Sequence, residues 1–220
     1  MFGRPDWNAW SAIGALIAVA VALFYAPLRR WWNAPKLRVT WRTRDSENQR
    51  MDDFGKVATN VRLLVWNRGR TAAQRVELTV ADVCQRSKDD SLKLITDFLP
   101  TALKWTHTEA PRCEYLGPDA KRLCNLGSFL DTPAIDVAPL SRPASQWFVF
   151  ATEIQPRSGY NRLEPGIYVA RIVATALNCK PDVVTLVINV GPHLLEGKPS
   201  SFSIFDAPDE VVAEVDRLVL

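Results

Sequence analysis

The chain has 220 residues, 27 Lys and Arg against 24 Asp and Glu, and a formal net charge of +3. A chain of this length buries about 70% of its unfolded surface, so it needs neither a disulfide nor a metal in order to fold. Its excess basic residues cluster after residue 28 instead of interleaving with aromatics along the chain, a distribution that argues against nucleic-acid binding.

Residues 7–28, WNAWSAIGALIAVAVALFYAPL, carry no charge between Asp6 and Arg29. At about 1.5 Å per residue they cover roughly 33 Å, enough for a hydrocarbon core near 30 Å. The expectation is one transmembrane helix within residues 1–30. Trp7 and Trp10 stand at one end, with Tyr25, Arg29, Arg30, Trp31 and Trp32 at the other, where aromatic and basic side chains anchor a span in the headgroup layer. Ala18-Val19-Ala20 resembles a signal cleavage site, but the apolar run continues past it to Arg29-Arg30, which favours an anchor. Lys36, Arg38, Arg42 and Arg44 follow before the first acid, Asp45. By the positive-inside rule the N-terminus is expected outside the inner membrane and the domain in the cytoplasm, with the lipid bilayer as a partner. Gly14, Ala18 and Ala22 recur every four residues, a small-residue face suited to helix association and a homo-oligomer.

Residues 31–36 read as a basic and aromatic juxtamembrane linker, 37–195 as a β domain and 196–220 as a tail with a short helix. Leu37, Val39 and Trp41 alternate with polar residues, the pattern of a half-buried strand. Val61, Leu63 and Val65, then Val76, Leu78 and Val80, form two period-2 runs around Asn67-Arg68-Gly69-Arg70. This predicts an antiparallel hairpin, with Gly69 supplying a positive φ in the turn. Leu92, Ile95 and Leu99 suit a short helix, Leu103 and Trp105 a strand, and 106–121 a long loop. Trp147 to Thr152 is apolar on both faces and predicts a fully buried strand. Strands are expected over 166–173 and 183–190. Asp206 is placed to cap a helix whose stripe holds Val211, Val215, Leu218 and Val219.

Short strands with turns and no interleaved helices predict an all-β antiparallel sandwich. The run Val65-Trp66-Asn67-Arg68-Gly69-Arg70-Thr71-Ala72-Ala73 resembles the V-x-N-x-G-x-x-x-A segment of CARDB-type bacterial immunoglobulin-like domains. Leu163 to Tyr168 is similar to the L-x-P-G-x-Y entry of such sandwiches, including fibronectin type III modules. The resemblance implies an immunoglobulin-like fold, a structural corner at Tyr168 and a role in adhesion or interaction, without catalytic residues.

Cys84, Cys113, Cys124, Cys179, His107 and His193 are the only cysteines and histidines. His107, Cys113 and Cys124 are weak zinc candidates, because they lack the paired C-x-x-C spacing that specifies a zinc site. The even cysteine count also admits two disulfides if the domain lies outside the cell. No phosphate loop, G-x-S-x-G elbow or H-E-x-x-H motif occurs. The expectation is a non-enzymatic module without cofactor that binds a protein partner. The alternatives are a single-span effector that oligomerises through its helix and an envelope-side ligand binder.

Overall fold

Residues 7–41, 50–53, 56–108, 110–132, 145–153, 161–191 and 203–219 are described by the computed structural model. Helix α1 (Trp7–Asn33) comes first and includes Pro27. It takes in Trp31 and Trp32, so the expected linker shortens to 34–36. Among the described residues no helix is long and apolar enough to cross a membrane. The last turns of the helix carry Arg29, and its end is tied to protein. Thr71 Oγ1 donates to the Asn33 carbonyl at 2.6 Å, and the Arg70 guanidinium lies 5.5 Å from the Trp32 ring. These findings correct the transmembrane anchor and, with it, the single-pass inner-membrane placement and the sidedness drawn from it.

Strands follow in chain order: β1 (Leu37–Thr40), β2 (Arg50–Asp53), β3 (Lys56–Asn67), β4 (Ala73–Arg86), β5 (Leu92–Leu94) and β6 (Thr101–Ala102). Next come β7 (Arg112–Leu116), β8 (Lys121–Thr132), β9 (Ser145–Phe150), β10 (Arg162–Leu163), β11 (Gly166–Ala176), β12 (Cys179–Val190) and β13 (Ser203–Asp206). Helix α2 (Asp209–Val219) closes the described chain.

Two antiparallel sheets form among the described residues. The six-stranded sheet runs β1-β3-β8-β9-β10, with β2 also on β3. The seven-stranded sheet runs β13-β12-β11-β4-β5, with β7 and β6 on the same long β4. Both contribute inward side chains to one core, including Val61, Leu63, Phe129, Phe148 and Phe150 from one sheet and Val76, Leu78, Ile172, Leu186 and Ile188 from the other. The all-β sandwich is therefore present.

The predicted hairpin is not. β3 pairs with β1, β2 and β8, while β4 pairs with β11, β5, β6 and β7. The segment 68–72 crosses from one sheet to the other. Period-2 alternation records which face is buried, and both runs bury the same face into the same core from opposite sides.

The segment expected to loop over 106–121 holds β7, and Leu92, expected in a short helix, opens strand β5. Residues 133–144 and His193 lie outside the described residues.

α2 lies on the outer face of the seven-stranded sheet. Val215, 1% exposed, packs with Cys84, Leu92, Val169 and Val187. Glu214 accepts from the Leu92 N–H at 3.3 Å, and Asp216 lies 3.6 Å from Arg171. Asp206, expected as the helix cap, is instead the last residue of β13.

Candidate docking face

The outer face of the six-stranded sheet carries no helix among the described residues. Its side chains follow from register, because residues paired across strands share a face. One row reads Arg38, Trp66, Lys121. The next reads Thr40, Leu64, Leu123. Arg62 and Asn125 follow, then Asn60, Ser128, Val149 and Arg162, and Leu130 with Trp147. Inward neighbours such as Leu63, Val65, Phe148 and Phe150 are buried, whereas Leu64, Trp66, Leu123, Leu130, Trp147 and Val149 are only half-buried. β9 was expected to be buried on both faces. Only one face is, because no described helix or strand packs over Trp147 and Val149 on the other.

Cations lie on the two indoles. Arg68 Cζ sits 4.9 Å and Lys121 Nζ 4.8 Å from the Trp66 ring centre. Arg162 Cζ sits 3.2 Å from the Trp147 ring centre. A cation over an indole face is held by the ring quadrupole. Burial lowers the Arg162 guanidinium from its usual pKa, and the Glu164 carboxylate acts in the opposite sense. The enclosed Trp66 Nε1 has no acceptor among the described residues.

The opposite sheet treats its cations differently. Arg171 Nε donates to Asp82 at 2.7 Å, Arg112 Nε to Glu77 at 2.8 Å, and Arg86 pairs with Asp90 at 2.8 Å. Among the described residues, Arg38, Arg68, Lys121 and Arg162 have no carboxylate within ion-pair distance. One sheet thus neutralises its arginines internally, and the other presents them.

A carboxamide holds the rim of this face in place. Asn67 is fully buried, and its Oδ1 accepts from the N–H groups of Lys36 and Gly69 at 3.1 and 2.9 Å. Its Nδ2 donates to the carbonyls of Thr71, Leu116 and Gly117. Gly69 is required by close approach and not by a positive φ. A Cβ there would overlap Pro35 Cα and lie 2.5 Å from the Ala34 oxygen, both backbone atoms.

Tyr168, expected at a structural corner, is buried; the Glu164 backbone N–H bonds its hydroxyl, and Gln85 Nε2 donates to it at 3.4 Å. Gly166 sits beneath its ring, where a Cβ would be 3.3 Å from Cε2.

The zinc candidates are not brought together. Cys113 is on β7 of one sheet and Cys124 on β8 of the other, and both are buried and free, each donating its S–H to a carbonyl at 3.3 Å. His107 is exposed, and no metal-holding group is found among the described residues. Cys84 and Cys179 are also free thiols.

Of the expected anchoring residues, Trp10, Tyr25 and Trp32 are exposed, and Arg29 stacks on Tyr25 at 6.0 Å. The side chains of Trp7, Arg30 and Trp31 lie outside the described residues. Gly14, Ala18 and Ala22 lie on exposed helix, and a Cβ on Gly14 would meet nothing within 4 Å. A groove of about 530 Å³ runs between the end of α1 and Thr71 and Asn178, with Arg29 the charged residue among its described lining.

The sequence reading missed Trp66, Arg68, Lys121, Trp147 and Arg162 as site residues. The signal available was parity, since Trp66 and Trp147 occupy outward positions of strands whose inward positions are already apolar. No family model, curated protein or solved structure matches the chain.

Proposed function

We propose that this chain is a non-enzymatic interaction module, a β-sandwich that binds a protein partner on the outer face of its six-stranded sheet. The observation that carries this reading is the asymmetry of the two outer faces. α2 covers the seven-stranded sheet, burying Cys84, Val169 and Val187. The other sheet leaves Leu64, Leu123, Leu130 and Val149 half in water beside two tryptophans and cations that hold no carboxylate among the described residues. Apolar area left in water forgoes about 25 cal/mol per Å² of burial. Contiguous apolar surface rimmed by polar groups marks a protein contact, and Trp and Arg are the residue types that anchor one. The Tyr168 corner supports kinship with immunoglobulin-like sandwiches of the CARDB and fibronectin type III kind.

Site-specific photo-crosslinking tests the reading. Probes at Leu123 and at Val149 are expected to trap the same discrete protein in the cells that make this chain. A probe at Val183, exposed on the other sheet, is expected to trap none. Absence of adducts from Leu123 and Val149 contradicts the reading, whatever Val183 gives.

A further inference from the structure

We infer that this face docks an extended acidic segment of the partner, its carboxylates pairing with Arg68 and Lys121 at one end and with Arg162 at the other. The inference rests on the reading of the face as a protein-binding surface and supplies the chemistry of what binds there.

Charge is the first support. Arg38, Lys121 and Arg162 are exposed on β1, β8 and β10, and Arg68 is exposed just after β3, none of them within ion-pair distance of a described carboxylate. Arg86, Arg112 and Arg171 of the opposite sheet already hold carboxylates, whereas Arg38, Arg68 and Arg162 hold none among the described residues.

Geometry is the second. The Trp66 row and the Arg162 row are about 20 Å apart along the strands, at roughly 3.3 Å per residue, and Arg162 stands two strands across from Lys121, about 10 Å, so the two cations are about 22 Å apart. An extended peptide spans that distance in about seven residues. Between the two rows lie Leu64 and Leu123 and then Arg62 and Asn125, with Val149 in the Arg162 row, so the segment meets apolar side chains next to Lys121 and next to Arg162 with a polar pair between them. The cations rest on indoles before any partner arrives, which reduces the entropy lost when they engage a carboxylate.

The same stacking argues against nucleic acid. Single strands bind sheet faces by stacking bases on aromatic rings. Here cations already lie on Trp66 and Trp147. A guanidinium over an indole still offers its N–H edge to a carboxylate.

The test uses the full chain and a fluorescein-labelled twelve-residue peptide, with Glu at both ends and Val and Leu between, against a control with Lys in place of Glu. The acidic peptide is expected to bind and the Lys peptide not to bind. Affinity for wild type falls about tenfold between low and moderate NaCl, because exposed ion pairs are screened. Combined Lys121→Glu and Arg162→Glu substitution weakens binding roughly a hundredfold, while Lys93→Glu on the other sheet leaves it unchanged. The inference is overturned if the acidic peptide does not bind, if salt has no effect on wild type, or if the Lys peptide binds as well. Tighter binding of an oligothymidylate or of phosphatidylglycerol vesicles at this face also overturns it. If crosslinks from Leu123 persist while the acidic peptide fails, the acidic chemistry falls and the protein-binding face stands. Loss of both removes the face itself.

Discussion

Asn67 Nδ2 donates to the Leu116 carbonyl at 3.0 Å, joining the end of β3 in one sheet to the end of β7 in the other. The same carboxamide binds Lys36, Gly69, Thr71 and Gly117. One buried side chain therefore sets the crossing between sheets, the start of β1 and the approach to β8.

Replacing Asn67 by Ala leaves two backbone N–H groups and three carbonyls short of partners in a buried site. Each unsatisfied buried group costs about 1–3 kcal/mol, part of it recoverable by water. The expected loss is about 3 kcal/mol or more in urea unfolding. Asn67→Asp is no rescue, because it faces three carbonyls with an acceptor. A loss under about 1 kcal/mol would show that the carboxamide does not hold the crossing.

Gly69→Ala tests close approach apart from hydrogen bonding. The added methyl meets the backbone of 34–36, which cannot yield as a flexible side chain would. Overpacking of this kind costs about 2 kcal/mol. The expected result is a lowered Tm and faster proteolysis at 34–36. An unchanged Tm would mean that the segment 34–36 does not lie against Gly69.

Alkaline pH separates burial from exposure. Burial raises the thiols of Cys84, Cys124 and Cys179 above 9.0 and, together with Glu164, raises Tyr168 above 10.0. The folded state thus holds these protons more tightly than the unfolded state does. Stability from this source is complete below about pH 9 and falls as pH rises through the folded values. Denaturation midpoints measured from pH 7 to 10.5 are expected to be level and then decline. Cys124→Ala, which removes the most deeply buried thiol, is expected to decline less steeply. An identical slope in that variant would place Cys124 in water.

α2 shields Cys84. Val215→Asp puts a charge against Cys84, Val169 and Val187, and the helix is expected to leave the sheet. Maleimide labelling of Cys84, slow in wild type, should then accelerate roughly tenfold or more through local opening. Labelling that does not change while the rest of the fold persists would mean that α2 is not the cover.

The two-sheet β part of the fold was legible because alternation reports burial, whereas the expected membrane span was not there to be read among the described residues. The inward sets at 61–65 and 76–80, and the pattern at Leu37 and Val39, all match the buried face. Partner choice was not legible, since two strands facing one core from opposite sheets show the same period as a hairpin. Gly69 was visible as a special position, but its reason, the backbone of Pro35, lies in a distant part of the chain. Trp147 read as buried because its neighbours are apolar, whereas the outer face on which it lies carries no described helix. α2 was visible as a stripe because Val211, Val215 and Val219 repeat at helical spacing. The uncharged N-terminal run fixed a helix and nothing about its surroundings. The structure ties the end of that helix to Thr71 and Arg70.

The central claim is that the outer face of the six-stranded sheet is where this protein is bound. Fluorine NMR of the full chain with 5-fluorotryptophan at its eight tryptophans reads that face without mutation. On titration with the acidic peptide, the Trp66 and Trp147 resonances are predicted to shift together and saturate together, while buried Trp105 and the α1 tryptophans stay in place. Shifts confined to Trp10 and Trp32, or a spectrum in which Trp66 and Trp147 do not move, would contradict the account.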